Sequence, residues 1–211
     1  MSIEKVRDLV IAGRAKLVPA ATQEAIDEGD NPAELLDAMI GAMDVVGERF
    51  KNNEIFVPEM LISAKAMKKG VETLKPYLGA DSAGALGKVI IGTVAGDLHD
   101  IGKNLVAMMI ESAGFEVIDL GVDVPIEKFL TSYEENPETK IIACSALLTT
   151  TMPALQQTVA AINEAPWRGK VKVMVGGAPI TQEFADEIGA DAYTPDAASA
   201  AKRAKQLVVG E

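Results

Sequence analysis

The sequence is poor in several residue types, and each shortage excludes a class of protein. It has 1 Cys in 211 residues, so no disulfide can form within the chain, and a reducing compartment is expected. Aromatic residues make up only 4%, so aliphatic side chains and Met must fill the core. No apolar run approaches the ~20 residues of a membrane-spanning helix, and the charged N-terminus is atypical of a signal peptide. We therefore expect a cytoplasmic protein.

Positive charge is also scarce. The chain has 20 Lys and Arg against 31 Asp and Glu, a formal net charge of -11. Nucleic acids and anionic membranes are bound through basic patches, so we expect neither as a partner. Apolar residues account for 48% of the chain, which is enough for a buried core, and the length fits one or two domains.

Residues 1–80 show helical periodicity. Asn31 and Pro32 fit an N-cap and first helical position, and Pro58 marks the start of another helix. Two shorter patterns cover about residues 3–12 and 15–28. Apolar positions then recur every three or four residues after each proline: Leu35, Leu36, Met39, Ile40, Met43, Val46 and Phe50, then Met60, Leu61, Ala64, Met67, Val71 and Leu74. The pattern predicts a small four-helix bundle.

Residues 88–211 alternate between short apolar runs and helical patterns. The runs begin with "KVIIGTVA", and five of them are expected to be strands. This alternation predicts an α/β fold in which a Rossmann-like (flavodoxin-like) five-stranded parallel sheet follows the bundle. The small residues of 81–87 are typical of a linker between the two domains.

The segment "GDLHDIGKN" holds the only histidine, His99. Its spacing fits neither a phosphate-binding Walker loop nor a dinucleotide fingerprint, and one His with one Cys is too few for zinc. A surface-loop histidine without a special role is one interpretation. Alternatively, Asp97 accepts a hydrogen bond from one ring nitrogen and leaves the other directed outward, as in metal-ligating histidines. One protein ligand suffices only when the metal arrives already chelated, as in a tetrapyrrole-type cofactor.

The pattern Asp-x-His-x-x-Gly in this segment resembles the cobalamin-binding signature of corrinoid proteins. "SALLT" and "VGGAP" resemble the elements that follow the third and fourth strands, and "GERFKNNEIFVPEMLISAKAMKKG" resembles the helical bundle of methyl-transferring members. The resemblance covers nearly the whole chain. It is to the methyltransferase corrinoid proteins of methylamine, betaine, methanol and aryl methyl ether systems, and to the cobalamin-binding region of methionine synthase.

The resemblance implies a role for each matched residue. His99 would be the lower axial ligand of cobalt, replacing the displaced dimethylbenzimidazole tail, and Asp97 would orient it. Thr151 stands where methionine synthase has a serine that completes a His-Asp-Ser relay, although Thr151 also fits a helix N-cap. The cofactor tail would lie against a further set of residues: Gly102, Ser145, Thr149, Gly176, Gly177, Tyr193 and Ala197.

The bundle segment "NNEIFVPEM" would supply a lid over the corrin. Phe56 is the candidate to cover the upper face, with Met60 and Ala66 assisting. The alternative is that all three are ordinary core residues of the bundle, which is the better interpretation for Met60.

The implied function is that of a methyl carrier that is inactive alone. Cobalamin would cycle between cob(I)alamin and methylcob(III)alamin as a substrate-specific methyltransferase supplies the methyl group. A second methyltransferase would pass it to tetrahydrofolate or coenzyme M, and a reductive activase would be a further partner. Alternatives are a B12-dependent sensor or the small subunit of a B12-dependent mutase.

Overall fold

The computed structural model describes residues 2–78 and 86–210. Most of the predicted linker, residues 81–85, lies outside these ranges. The chain divides into two compact units, one built on the N-terminal helices and one on a β-sheet. In the described part of the chain, no helix combines the length and the hydropathy that crossing a lipid bilayer requires.

Within the described residues, four helices form the N-terminal unit, which confirms the predicted bundle. Helix α3 packs on α1 and α4, and α2 also packs on both. The bounds are α1 Ser2–Ile11, α2 Val18–Asp27, α3 Pro32–Lys51 and α4 Val57–Leu74.

Helix α3 begins where the sequence predicts. Oδ1 of Asn31 accepts a hydrogen bond of 2.9 Å from the amide of Ala33, and Pro32 needs no such partner. Most of the predicted stripe on α3 is buried, whereas Ile40 and Phe50 lie at its edge and are half-buried. The apolar face of α3 therefore forms part of the bundle core.

The second unit contains the predicted five-stranded parallel sheet. Its strand order is β2-β1-β3-β4-β5. The strands are β1 Lys88–Thr93, β2 Glu116–Asp119, β3 Thr139–Ser145, β4 Lys172–Gly176 and β5 Ala192–Tyr193. The helices between and after them are α5 Ile101–Ser112, α6 Ile126–Glu135, α7 Met152–Glu164, α8 Gln182–Glu187 and α9 Ala197–Val209.

Strand order reverses direction near the middle of the sheet. From β1 the chain crosses to β2 on one side, and β3 pairs with β1 on the other, so the order reverses between β1 and β3. In open α/β sheets, ligands bind beyond the carboxyl ends of the strands at such a reversal. The loop that carries His99 connects β1 to α5 at this point.

Candidate functional site

The carboxyl ends of the central strands bring polar and small residues into register. Ser145, the last residue of β3, pairs with Thr93 of β1 on one side and with Gly176 of β4 on the other. Tyr193 ends β5 and pairs with Val175. The sequence-predicted residues Ser145, Gly176 and Tyr193 therefore lie along one edge of the sheet.

Asp97 is the most highly coordinated side chain at this edge. It is fully buried, with 0% exposure, and accepts four hydrogen bonds. Oδ1 lies 2.7 Å from Nδ1 of His99 and 3.1 Å from the His99 amide. Oδ2 lies 2.7 Å from the Leu147 amide and 2.7 Å from Oγ1 of Thr151. Asp97 thus joins the loop after β1 to the loop after β3.

These donors keep the Asp97 carboxylate ionised. Burial alone would raise the pKa of Asp97, but the Leu147 amide, the Thr151 hydroxyl and His99 together hold that pKa well below its usual range. An ionised carboxylate can only accept a hydrogen bond, so Nδ1 of His99 is the donor in this contact, and in the neutral imidazole the lone pair lies on Nε2. The His99 side chain is 49% exposed, and no group within the described residues hydrogen-bonds Nε2.

Thr151 immediately precedes α7, yet its side chain makes no capping hydrogen bond. Its buried hydroxyl lies 2.7 Å from Asp97 and 2.9 Å from the carbonyl oxygen of Leu148. The charged acceptor makes the stronger bond of the two. The Thr151 side chain therefore contacts the carboxylate that also contacts His99.

Two residues that the sequence did not single out hold the His99 loop. Thr93 donates a hydrogen bond of 2.9 Å to the carbonyl oxygen of His99. The carboxylate of Asp123 accepts one of 2.7 Å from the amide of Gly96, and the Asp123 amide donates one of 2.9 Å to the carbonyl oxygen of Asp97. A polar residue at the end of the apolar β1 run was the available signal for Thr93. The contacts of Asp123 join separate loops, and no local pattern encodes them.

The predicted glycines differ in what surrounds them. Gly177 has φ +130°, and an added Cβ would lie 1.8 Å from the carbonyl oxygen of Ala146, so the protein backbone itself demands glycine there. At Gly176 the nearest atom, the carbonyl oxygen of Thr194, would lie 3.4 Å away. Apart from the chain neighbours and the backbone of α5 itself, no described atom lies within 4 Å of a Cβ at Gly102. Open space above the backbone is thus found at Gly102.

Exposed apolar side chains occur in the two loops that carry His99 and contact Asp97. Leu98 is 73% exposed and Ile101 is 85% exposed, on either side of His99 in sequence. Leu147 and Leu148 are each 41% exposed in the loop that donates to Asp97. Sequence reasoning missed them, although apolar residues around a loop histidine were visible in "DLHDI". Their exposure suits a large ligand with an apolar face.

The remaining predicted residues have simpler surroundings. Thr149 is exposed and begins the short 3-10 turn that ends at Thr151. Ala197 is buried at the first position of α9. In the bundle, Phe56 is 65% exposed, whereas Met60 and Ala66 are fully buried core residues.

Comparison with known families agrees with this geometry. Two family models, both described as a B12 binding domain, match residues 87–203 and 2–75. The fold and the site therefore define a B12-binding protein.

Individual relatives narrow the class. The chain is 42% identical over 210 residues to trimethylamine corrinoid protein 1 of Methanosarcina mazei, covering 98% of this chain and 97% of the relative. It is 41% identical over 208 residues to dimethylamine corrinoid protein 1 of Methanosarcina acetivorans, covering 98% and 97%. A chain of the methanol:cobalamin methyltransferase complex from Methanosarcina barkeri superposes with a TM-score of 0.84 at 31% identity, covering 100% of this chain and 80% of that one. The protein belongs to the methyltransferase corrinoid proteins.

Its cofactor is cobalamin, and the site fits that group. The available Nε2 of His99 is a nitrogen donor of the type that cobalt binds. The exposed leucines and Ile101 offer apolar surface in the loops that carry His99 and contact Asp97, and the space above Gly102 leaves room for part of a large cofactor.

Proposed function

We propose that this protein carries a methyl group on cobalamin between two methyltransferases, and that His99 is the lower axial ligand while the dimethylbenzimidazole tail is displaced. The proposal is carried by the buried Asp97 carboxylate, 2.7 Å from Nδ1 of a half-exposed His99. That contact leaves Nε2 as the nitrogen that faces a ligand. When bound, cobalamin supplies a cobalt centre that can accept a methyl group and release it.

Residues around His99 set how strongly its imidazole can bind a metal. Asp97 keeps the proton on Nδ1 and orients the ring, which raises the basicity of Nε2. Thr151 and the Leu147 amide hold the carboxylate in place.

The other predicted residues are assigned by their positions. Ser145 and Thr149 would donate hydrogen bonds to the displaced tail, and Gly102 would let it approach the backbone. Gly176, Gly177, Tyr193 and Ala197 would shape the slot along the strand ends. We assign Phe56 as the residue of the bundle (1–80) that shields the methyl group, and the segment 81–87 as the linker to the cobalamin-binding domain (88–211).

The similar corrinoid proteins suggest which partner enzymes to test. Trimethylamine and dimethylamine corrinoid proteins are similar over nearly the whole chain, so a methyltransferase for a methylated amine is the first donor partner to test. The structural match within a methanol:cobalamin methyltransferase complex supports direct assembly with such an enzyme. The acceptor methyltransferase, for tetrahydrofolate or coenzyme M, and a reductive activase complete the proposed cycle.

The single histidine allows a direct test of ligation. The protein is loaded with cob(II)alamin after growth on ¹⁵N-histidine, and its electron paramagnetic resonance spectrum is compared with that of unlabelled protein. A coordinated ¹⁴N nucleus splits each cobalt line into three and ¹⁵N into two. We expect the change from triplets to doublets upon labelling. Triplets that persist would show that the cofactor's own base still occupies the metal.

Methyl transfer is tested separately. Reduced holo-protein is mixed with trimethylamine, dimethylamine or methanol and the matching methyltransferase, and the corrinoid absorbance is followed. We expect methylation with at least one methylated amine. Holo-protein that no such enzyme methylates would exclude the carrier role proposed here, whatever the axial ligand.

A further inference from the structure

Thr93 joins two parts of the site that have different proposed tasks. It is the last residue of β1 and is only 1% exposed. Its Oγ1 lies 2.9 Å from the carbonyl oxygen of His99 and 2.9 Å from Oγ of Ser145. One buried hydroxyl thus touches both the residue assigned to the metal and a residue assigned to the cofactor tail.

Counting protons gives this chain of bonds a direction. A carbonyl oxygen cannot donate, so the single hydroxyl proton of Thr93 goes to His99. The Ser145 hydroxyl must then donate to Oγ1 of Thr93. In this structure the order of donation is Ser145 to Thr93 to the backbone of His99.

Ser145 can also be reached by a ligand. It is half-buried at the open carboxyl end of β3. Its neighbour in register is Gly176, which has no side chain to cover it. A ligand acceptor at this edge would compete with Thr93 for the Ser145 proton.

We propose that Thr93 is a positioning residue that couples occupation of the tail slot at Ser145 to the placement of the His99 backbone. This inference rests on the proposed function. When a ligand takes the Ser145 proton, Oγ of Ser145 becomes an acceptor for Thr93. The Thr93 proton is then divided between Ser145 and the His99 carbonyl, and the loop that carries the imidazole is held less tightly. Arrival of the tail thereby frees the ring to adjust to the metal.

The test uses two corrinoids and one label. Cobalamin carries the nucleotide tail, and cobinamide lacks it. Because His99 is the only histidine, carbonyl-¹³C histidine gives a single backbone carbonyl resonance, which reports the hydrogen bond from Thr93. Both corrinoids are used at saturation in the diamagnetic Co(III) state. In the unmodified protein, we expect the resonance to differ between the two complexes.

The variants separate coupling from packing. Thr93→Val keeps the shape of the side chain and removes the hydroxyl, so the difference between the two complexes should vanish. Thr93→Ser keeps the hydroxyl and should restore the difference. Ser145→Ala should abolish it without altering β1, and should weaken cobalamin binding, but not cobinamide binding, by roughly 3- to 10-fold, the range of one ordinary hydrogen bond.

Two results would overturn the coupling. One is identical resonances for both complexes of the unmodified protein, and the other is a difference that survives in both Thr93→Val and Ser145→Ala. Neither result bears on ligation by His99, which the ¹⁵N labelling experiment decides alone. Failure of the coupling is therefore distinguishable from failure of the proposed function.

Discussion

Oγ1 of Thr151 lies 2.7 Å from Oδ2 of Asp97, on the opposite carboxylate oxygen from the one that contacts the His99 ring. The hydroxyl therefore does not compete with the imidazole for the same lone pairs. A donor on one oxygen withdraws charge from the other, so Thr151 acts on His99 through the carboxylate. A serine at position 151 would offer the same hydroxyl donor, so threonine and serine can both make this contact.

Removing that hydroxyl should weaken the fold. We expect Thr151→Val to lower the free energy of unfolding of the cofactor-free protein by about 1–3 kcal/mol, because a charged acceptor loses a donor. Thr151→Ser should stay close to the original value. Urea unfolding followed by the fluorescence of Trp167, the only tryptophan, measures the change. Equal stability of the Val and Ser variants would mean that the contact between Thr151 and Asp97 contributes nothing to the free energy of unfolding.

Asp97 makes the stability of the cofactor-free protein depend on pH. Its native pKa lies below the usual value, so its stabilisation is fully present above the unfolded-state pKa of about 3.9 and is lost as pH falls from there toward the native pKa. Asp97→Asn cannot titrate. We therefore expect the stability difference between the two proteins to be largest near neutral pH and to shrink below about pH 4.

Urea unfolding at several pH values checks this expectation. Asp100→Asn is the matched control, since the Asp100 side chain is exposed and accepts a hydrogen bond of 3.2 Å from Asn104. Its effect should be small at every pH. A difference for Asp97→Asn that stayed constant down to pH 3 would show that the buried carboxylate contributes no pH dependence.

The Asp123 side chain holds the loop before His99. Its own backbone has a φ of +52°, a left-handed conformation that is unfavourable for most residues other than glycine. Asn tolerates this conformation and keeps an acceptor for the Gly96 amide, Gly keeps only the conformation, and Ala keeps neither. We expect unfolding free energies in the order Asp ≈ Asn > Gly > Ala, with Ala below Gly by about 1–2 kcal/mol. Chemical denaturation gives the order. An Ala variant as stable as the Asn variant would contradict both the strain and the hydrogen bond.

Local patterns predicted most of the fold, because caps and periodicity are read over a few residues. Asn31 with Pro32 located the start of α3, and the apolar runs located the five strands. Ile101, the first residue of α5, is exposed and therefore carries no helical stripe that could mark this start in the sequence. At the site, Asp97 and His99 are two residues apart and were paired from sequence. Contacts between residues 26 or more positions apart, such as Asp123 to Asp97 and Thr93 to Ser145, depend on strand order. They could not be predicted from the sequence.

Two glycines of the predicted slot should respond differently to alanine. A Cβ at Gly177 meets the Ala146 carbonyl at 1.8 Å in a positive-φ conformation, so Gly177→Ala should lose at least about 2 kcal/mol of stability before any cofactor is added. Gly102 faces open space within α5, so Gly102→Ala should fold with unchanged or slightly higher stability. Its cobalamin affinity should fall if the nucleotide occupies that space. Unfolding and binding measured on both variants separate the two roles, and full affinity in Gly102→Ala would remove that residue from the slot.

The exposure of Phe56 separates a shielding role from a core role. Because the ring is 65% exposed, Phe56→Ala should change the free energy of unfolding by less than about 0.5 kcal/mol. Ile62→Ala is the matched control, an exposed apolar residue on α4 at 51% exposure. If Phe56 shields the methyl group, the Phe56 variant loaded with methylcobalamin should lose methyl to light and water faster than the Ile62 variant, as absorbance would show. Equal rates in the two variants would assign Phe56 no part in the lid.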